Sequence, residues 1–188
     1  MKIGILISGR GSNMAAIVDA VKSGEIPASE VAVVVSDKRA AAGLRGRRER
    51  GVETLVVERL GRTRAEHDGE IGDELEKRGV ELVCLAGYMR LLSPEFVRRF
   101  EGRIVNIHPS LLPAFPGLDA QRQAFDAGVE VTGCTVHYVD ELLDHGPVIL
   151  QREVPRLADD TVETLTARIL AEEHSTYIEA LRQVVSGS

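Results

Sequence analysis

Through the first hundred positions, apolar residues arrive in short unbroken runs set apart by polar or glycine-rich segments. KIGILIS (2–8), VAVVVSD (31–37), VETLVV (52–57), VELVCLAG (80–87) and GRIVNI (102–107) are rich in Val, Ile and Leu. Runs that are apolar on both faces mark strands covered on both sides, as in a parallel sheet. Helical patterns lie between them. MAAIVDAVKSG (14–24) predicts a helix closed by Gly24, and residues 39–50 predict another. TRAEHDGEIGDELEKRG (63–79) predicts a polar, exposed helix ending at Gly79. SPEFVRRF (93–100) predicts a short one with Ser93 as N-cap and Pro94 in the first position. This alternation specifies an α/β fold: a Rossmann-like, mostly parallel sheet with helices on both faces and right-handed crossovers.

The pattern changes after residue 128. VEVTGCTVHYV (129–139) and GPVILQREV (146–154) are extended stretches joined by DELLDH (140–145), which suits an antiparallel pair. Residues 160–186 carry Val162, Leu165, Ile169, Leu170, Tyr177, Ile178 and Leu181 at helical spacing. They predict one long C-terminal helix packed back across the sheet. The whole chain, 1–188, reads as a single domain.

Composition refines this. Hydrophobic residues make up 44%, but aromatics only 4% with no Trp, so the core must come from Val, Leu, Ile and Ala. Cys84 and Cys134 sit in apolar runs and read as reduced, buried thiols. No cysteine spacing fits a metal, and none is expected. The N-terminal apolar run is too short for a membrane span and lacks the flanks of a secretory signal, so a cytoplasmic location is expected. A net charge of −6 weighs against broad contact with nucleic acid or acidic membranes. The basic stretch LRGRRER (44–50) reads as a solvated helix face.

Ligands of open parallel sheets bind beyond the carboxyl ends of the strands. Three loops qualify: GRGSN (9–13), GYMRLL (87–92) and HPSLLP (108–113). SGRGSN (8–13) sits where a strand feeds a helix; Gly9 and Gly11 free the backbone to approach a ligand, and Ser12 and Asn13 add donors. It is neither a P-loop nor a strict GxGxxG, so a single phosphate monoester suits it better than a dinucleotide; a plain capped turn is the alternative. Asn106 and His108 stand two apart and share one strand face, followed by a loop that Pro109, Pro113 and Pro116 stiffen. An amide and an imidazole together bind an oxyanion and move a proton. No Ser or Cys nucleophile accompanies them, so the chemistry would be direct attack by a bound substrate; a satisfied structural histidine is the alternative. Asp144 is the best-placed carboxylate to raise the His108 pKa. His67 reads as solvated, His137 as buried and hydrogen-bonded, His145 as loop surface, and His174 as helix packing.

Taken together, ILISGRGSNMAAI, LAGYMRLLSPEFV, IVNIHPSLLPAFPG, GCTVHYVDELLDHGPVILQ and AEEHSTY resemble the folate-dependent phosphoribosylglycinamide formyltransferases of purine synthesis, over nearly the whole chain. The resemblance implies a catalytic trio of Asn106, His108 and Asp144. It implies that Gly11, Ser12, Asn13 and Glu173 hold glycinamide ribonucleotide. Arg64, Met89, Arg90, Leu91, Leu92, Asn106 and Asp140, Glu141, Leu142, Leu143 and Asp144 correspond to folate-binding positions. It further implies 10-formyltetrahydrofolate as cosubstrate, no metal, and a monomer or homodimer. Residues 1–100 would form the phosphate-binding half and 101–188 the catalytic and folate-binding half. The chain departs from the pattern at GLDAQRQAF (117–125), where Asp119 and Gln121 stand in a region that carries a histidine in many relatives. Arg10 also replaces a smaller polar residue. The rivals are a 10-formyltetrahydrofolate hydrolase, a methionyl-tRNA formyltransferase and a non-catalytic binding module of the same fold. A first strand starting at residue 2 weighs against the hydrolase, and an end soon after the last helix weighs against the tRNA enzyme.

Overall fold

The computed structural model describes residues 1–45 and 51–187. Seven strands, β1 (Lys2–Ile7), β2 (Glu30–Ser36), β3 (Thr54–Val56), β4 (Leu82–Leu85), β5 (Ile104–His108), β6 (Val131–Tyr138) and β7 (Val148–Pro155), form one sheet in the order β3-β2-β1-β4-β5-β6-β7. The first five are parallel to one another, while β6 pairs antiparallel with both β5 and β7. The helices are α1 (Ser12–Ser23), α2 (Arg64–Lys77), α3 (Pro94–Arg99), α4 (Ala120–Asp126) and α5 (Val162–Ser186). Strand order reverses between β1 and β4, which opens a crevice at their carboxyl ends.

Side-chain alternation divides the core between two faces. Ile3, Ile5 and Ile7 of β1 pack with Met14 and Ile17 of α1 and with Leu165, Ile169 and Tyr177 of α5. Leu6 points the other way, among Ile71 and Leu75 of α2 and Phe96 and Phe100 of α3. Gly4 permits that second layer to close: a Cβ there would lie 2.7 Å from Leu75 Cδ2.

Three expectations from the sequence need correcting. Helix α2 is not simply polar and exposed, because His67, Ile71 and Leu75 recur at four-residue spacing and are buried. His67 is therefore not solvated: it is 1% exposed, with Nε2 2.7 Å from the Val57 carbonyl and Nδ1 3.3 Å from Asp68 Oδ1. The helix expected over 39–50 reduces to one 3-10 turn, Ala42–Leu44, while residues 46–50 lie outside the described residues. Gly43 donates its N–H to the Gly9 carbonyl (3.0 Å), so this segment is drawn onto the β1–α1 loop, and Arg45 is already extended. Helix α4 was not foreseen, because Ala120 and Ala124, its only buried positions, leave no periodic signature.

Helix α5 crosses the sheet as expected, and a polar anchor fixes its position. Tyr177 is fully buried, and its hydroxyl lies 3.1 Å from the Leu85 carbonyl and 2.9 Å from the Val105 carbonyl, at β4 and β5. Tyr177→Phe leaves those acceptors without their donor and should lower unfolding free energy by about 1–3 kcal/mol. Urea denaturation with an unchanged m-value would show it; an unchanged midpoint would mean that the hydroxyl contributes nothing.

Candidate active site

Ser8 ties the crevice together. Its N–H donates to the Gly87 carbonyl (3.1 Å) and its Oγ accepts from Met89 N (2.9 Å), which joins the loops after β1 and β4. Gly11, at φ 72°, is the N-cap of α1, and no side chain caps the helix there. The amide groups of its first turn are thus open to an anion. Gly11 must be glycine on two counts: the left-handed φ, and a Cβ that would lie 2.9 Å from Gly43 Cα. Asn13 is buried, and its Nδ2 donates to Glu173 Oε2 on α5 (2.6 Å). Burial pushes the Glu173 carboxyl up to about 6, against the pull of Asn13 and Arg10. Glu173 sits one turn before Tyr177, so the anchor of α5 also sets this carboxylate.

The trio forms at the end of β5. His108 Nε2 lies 2.9 Å from the Phe115 carbonyl, and Nδ1 lies 3.5 Å from Asp144 Oδ2. Both ring nitrogens thus face oxygen acceptors. Asp144 Oδ2 also accepts from Gly117 N (2.8 Å), which clips the 140–144 loop to the loop after β5. The prolines are not alone in stiffening that loop. Phe115 takes a left-handed φ of 54°, and its carbonyl turns back to meet both His108 and Ser110 Oγ (3.2 Å). Thr135, opposite His108 on β6, donates to the Ser110 carbonyl (2.7 Å) and accepts from Leu112 N (3.0 Å) and Gln151 Nε2 (2.9 Å). Every hydrogen-bonding capacity of that hydroxyl is used.

Asn106 Nδ2 lies 3.2 Å from His137 Nε2, and His137 Nδ1 lies 2.9 Å from the Tyr138 carbonyl. His137 is thus buried and hydrogen-bonded, as its sequence context predicts, but it also touches the trio. The signal was the spacing of Thr135 and His137, which mirrors that of Asn106 and His108; only the antiparallel register pairs them. A second missed feature lies beyond β2. Asp37 Oδ2 is 3.7 Å from Arg90 Nη1, while Asp37 Oδ1 and the Tyr88 hydroxyl are buried without a hydrogen-bond partner. Burial, and then the charges of Asp68 and Asp37, push the Tyr88 phenol well up.

The remaining candidates spread along the same edge. Met89 and Leu91, on the loop after β4, are more than half exposed, as are Leu142 and Leu143 on the loop that carries Asp144. Leu92 is half-buried. Asp140 orders its own loop by accepting from Leu142 N (2.9 Å) and His145 (2.9 Å), and Glu141 pairs with Arg98 (2.9 Å). Arg64 is exposed in the first turn of α2, one turn before Asp68, whose Oδ2 accepts from Ser93 N (2.6 Å) just beyond the 89–92 segment. Among the described residues no group of three His, Cys, Asp or Glu side chains could hold a metal, and no helix is long and apolar enough to cross a membrane.

Comparison with known proteins gives the family of the chain. Residues 1–181 match the formyl transferase family. The chain is 45% identical to the phosphoribosylglycinamide formyltransferase of Escherichia coli, over 94% of this chain and 84% of that protein. It is 46% identical to the bovine trifunctional purine biosynthetic protein adenosine-3 along its whole length, yet spans only 18% of that much longer polypeptide. The crystal structure of glycinamide ribonucleotide transformylase 1 from Symbiobacterium toebii superimposes with a TM-score of 0.97 at 52% identity, over all of this chain and 88% of that one. The chain belongs to the formyl transferase family.

Proposed function

We propose that this chain transfers the formyl group of 10-formyltetrahydrofolate to the amine of N1-(5-phosphoribosyl)glycinamide, a step of purine synthesis. The observation that carries this reading is the convergence of Asn106, His108 and Asp144 at the switch-point edge of the sheet, with His108 Nδ1 3.5 Å from Asp144. The amide groups at the start of α1, with Ser12 and Asn13, take the substrate phosphate. Glu173 reaches the same ligand from α5. The exposed apolar side chains of Met89, Leu91, Leu142 and Leu143 take the folate ring system, and Arg64 and Arg90 supply charge for its acidic end. The first half of the chain then serves the phosphate and the second the chemistry.

No nucleophile is required of the protein. The glycinamide amine attacks the formyl carbon, and negative charge develops on the formyl oxygen. Asn106 donates to that oxygen from its amide nitrogen. His108 donates from Nε2, for which the oxygen must compete with the Phe115 carbonyl. Asp144 holds Nδ1 and balances charge on the ring. The amine proton leaves for the folate nitrogen as the carbon–nitrogen bond to folate breaks, with His108 as the carrier. Binding both substrates side by side supplies much of the remaining acceleration.

His108→Ala should lower kcat by roughly 100-fold to 1,000-fold and leave both KM values within a few-fold. The assay follows loss of 10-formyltetrahydrofolate by absorbance, with and without glycinamide ribonucleotide. Equal loss in both tubes would identify a hydrolase, and no loss in either would identify a binding module.

Glu173 gives a second test, through stability. Its folded pKa of about 6 lies above the ordinary value of 4.5, so the folded state takes up a proton between them. Stability from this group is complete below the unfolded value and is lost as pH rises through about 6, at a cost of about 2 kcal/mol at neutral pH. Glu173→Gln should flatten that loss, raise stability at pH 8, and raise KM for glycinamide ribonucleotide. Denaturation midpoints at pH 5 and pH 8 check the first part; a pH dependence identical to the parent would refute it.

A further inference from the structure

We propose that His137 is a positioning residue for the reaction: it dictates which end of the Asn106 amide is nitrogen, so that an N–H rather than a carbonyl meets the substrate oxygen. This rests on the reading of Asn106 as an oxyanion donor. Asn106 and His137 face each other across the antiparallel β5–β6 pair. The Tyr138 carbonyl, 2.9 Å from His137 Nδ1, can only accept, so Nδ1 carries the ring proton. Nε2 is then a bare lone pair. Asn106 Nδ2 lies 3.2 Å from it and must be the donor. The reversed amide would set Oδ1 against that lone pair, with two acceptors face to face and the carboxylate of Asp144 only 4.0 Å from His137 Nε2. One amide proton is thereby committed to His137, and the other is left for a ligand.

The surroundings keep the ring in the required form. His137 is 2% exposed, and burial lowers its pKa. The neighbouring His108 acts in the same direction, while the Tyr138 carbonyl, Asp144 and Asp140 oppose it. The shift stays downward, so the imidazole is neutral at pH 7 and Nε2 is free to accept. A protonated ring would donate at Nε2 and turn the Asn106 carbonyl toward it. Among the described residues no other side chain hydrogen-bonds the Asn106 amide, so its orientation depends on this one bond.

Two measurements test the proposal. In isotope-labelled protein, the His137 ring nitrogens, assigned through carbon–nitrogen couplings to their own backbone, should show Nδ1 protonated and Nε2 unprotonated at pH 7. The opposite tautomer, or a doubly protonated ring, would overturn the proposal, and this holds even if a variant fails to fold. Kinetics give the second arm. His137→Phe, which keeps the ring but has no acceptor, should lower kcat by roughly tenfold or more with KM for both substrates within about threefold. His137→Gln, whose Oε1 can accept in place of Nε2, should restore most of that loss. In an Asn106→Ala background His137→Phe should have no further effect. An equal loss in both backgrounds would show that His137 acts independently of Asn106, and the inference would fail while the role of Asn106 stood. Wild-type turnover in Asn106→Ala alone would refute the oxyanion reading itself.

Discussion

The register of β5 against its two neighbours governs the rest of the site. On one side β5 pairs parallel with β4, setting Asn106 beside Leu85 at the mouth of the crevice. On the other it pairs antiparallel with β6, setting Asn106 opposite His137 and His108 opposite Thr135. A slip of one residue would turn every side chain of β5 to the other face. It would separate the amide from its acceptor and detach the proline loop from Thr135. Tyr177 guards this register from a third direction, since its hydroxyl lies against carbonyls of both β4 and β5. Sheet direction changes at this strand, and Asn106 and His108 stand on the strand where it changes.

Much of the architecture is legible in the sequence because two-sided apolar strands and a long amphipathic helix leave strong periodic signals. The short elements are not. Helix α4 buries two alanines, and the segment before residue 46 is shaped by Gly43 meeting Gly11, a contact between two backbones that no side-chain pattern records. His67 shows the same limit in another form: a histidine between Glu66 and Asp68 looks solvated until the four-residue stripe it shares with Ile71 and Leu75 is counted. In the site, Asn106, His108 and Asp144 could be singled out from residue type and spacing. Partners defined by backbone atoms, such as the Phe115 carbonyl and Gly117 N–H, could not, and neither could His137, whose relation to Asn106 exists only once the antiparallel register is known.

The edge that holds the site is also where the fold is least satisfied. Asn13 Oδ1, Asp37 Oδ1 and the Tyr88 hydroxyl are buried without partners there, and Glu173 is a desolvated carboxyl. Phe115, Asp119 and Asp144 hold left-handed conformations on the loops around it. Each feature opposes folding to some degree. The core faces beneath are largely apolar, and their buried polar groups such as His67 and Tyr177 are hydrogen-bonded, so they can carry these losses. Polar groups that a folded chain leaves short of partners are groups available to a ligand, and a well-packed base under a strained rim is the arrangement expected where function rather than stability sets the choice of residue.

A net charge of −6 does not conflict with two anionic substrates, because charge here depends on which edge of the sheet is considered. Helix α1 begins at the carboxyl edge with no side-chain cap, so its first-turn amide groups make that edge locally positive, whereas Thr63 and Glu66 close the start of α2 in a capping box. Arg10, Lys38, Arg39, Arg64 and Arg90 lie on the loops or first turns at that same edge. Two of them are already matched, Arg39 by Glu58 and Arg90 by the buried Asp37. Asp37 is nearly inaccessible, so its charge orients Arg90 without presenting itself to a ligand. The parallel half of the fold thus gathers cationic side chains and the uncapped start of α1 where its strands end, while Asp140, Glu141 and Asp144 stand on the loop between β6 and β7 and Glu173 on α5. An anion approaching the crevice meets that local field rather than the total charge.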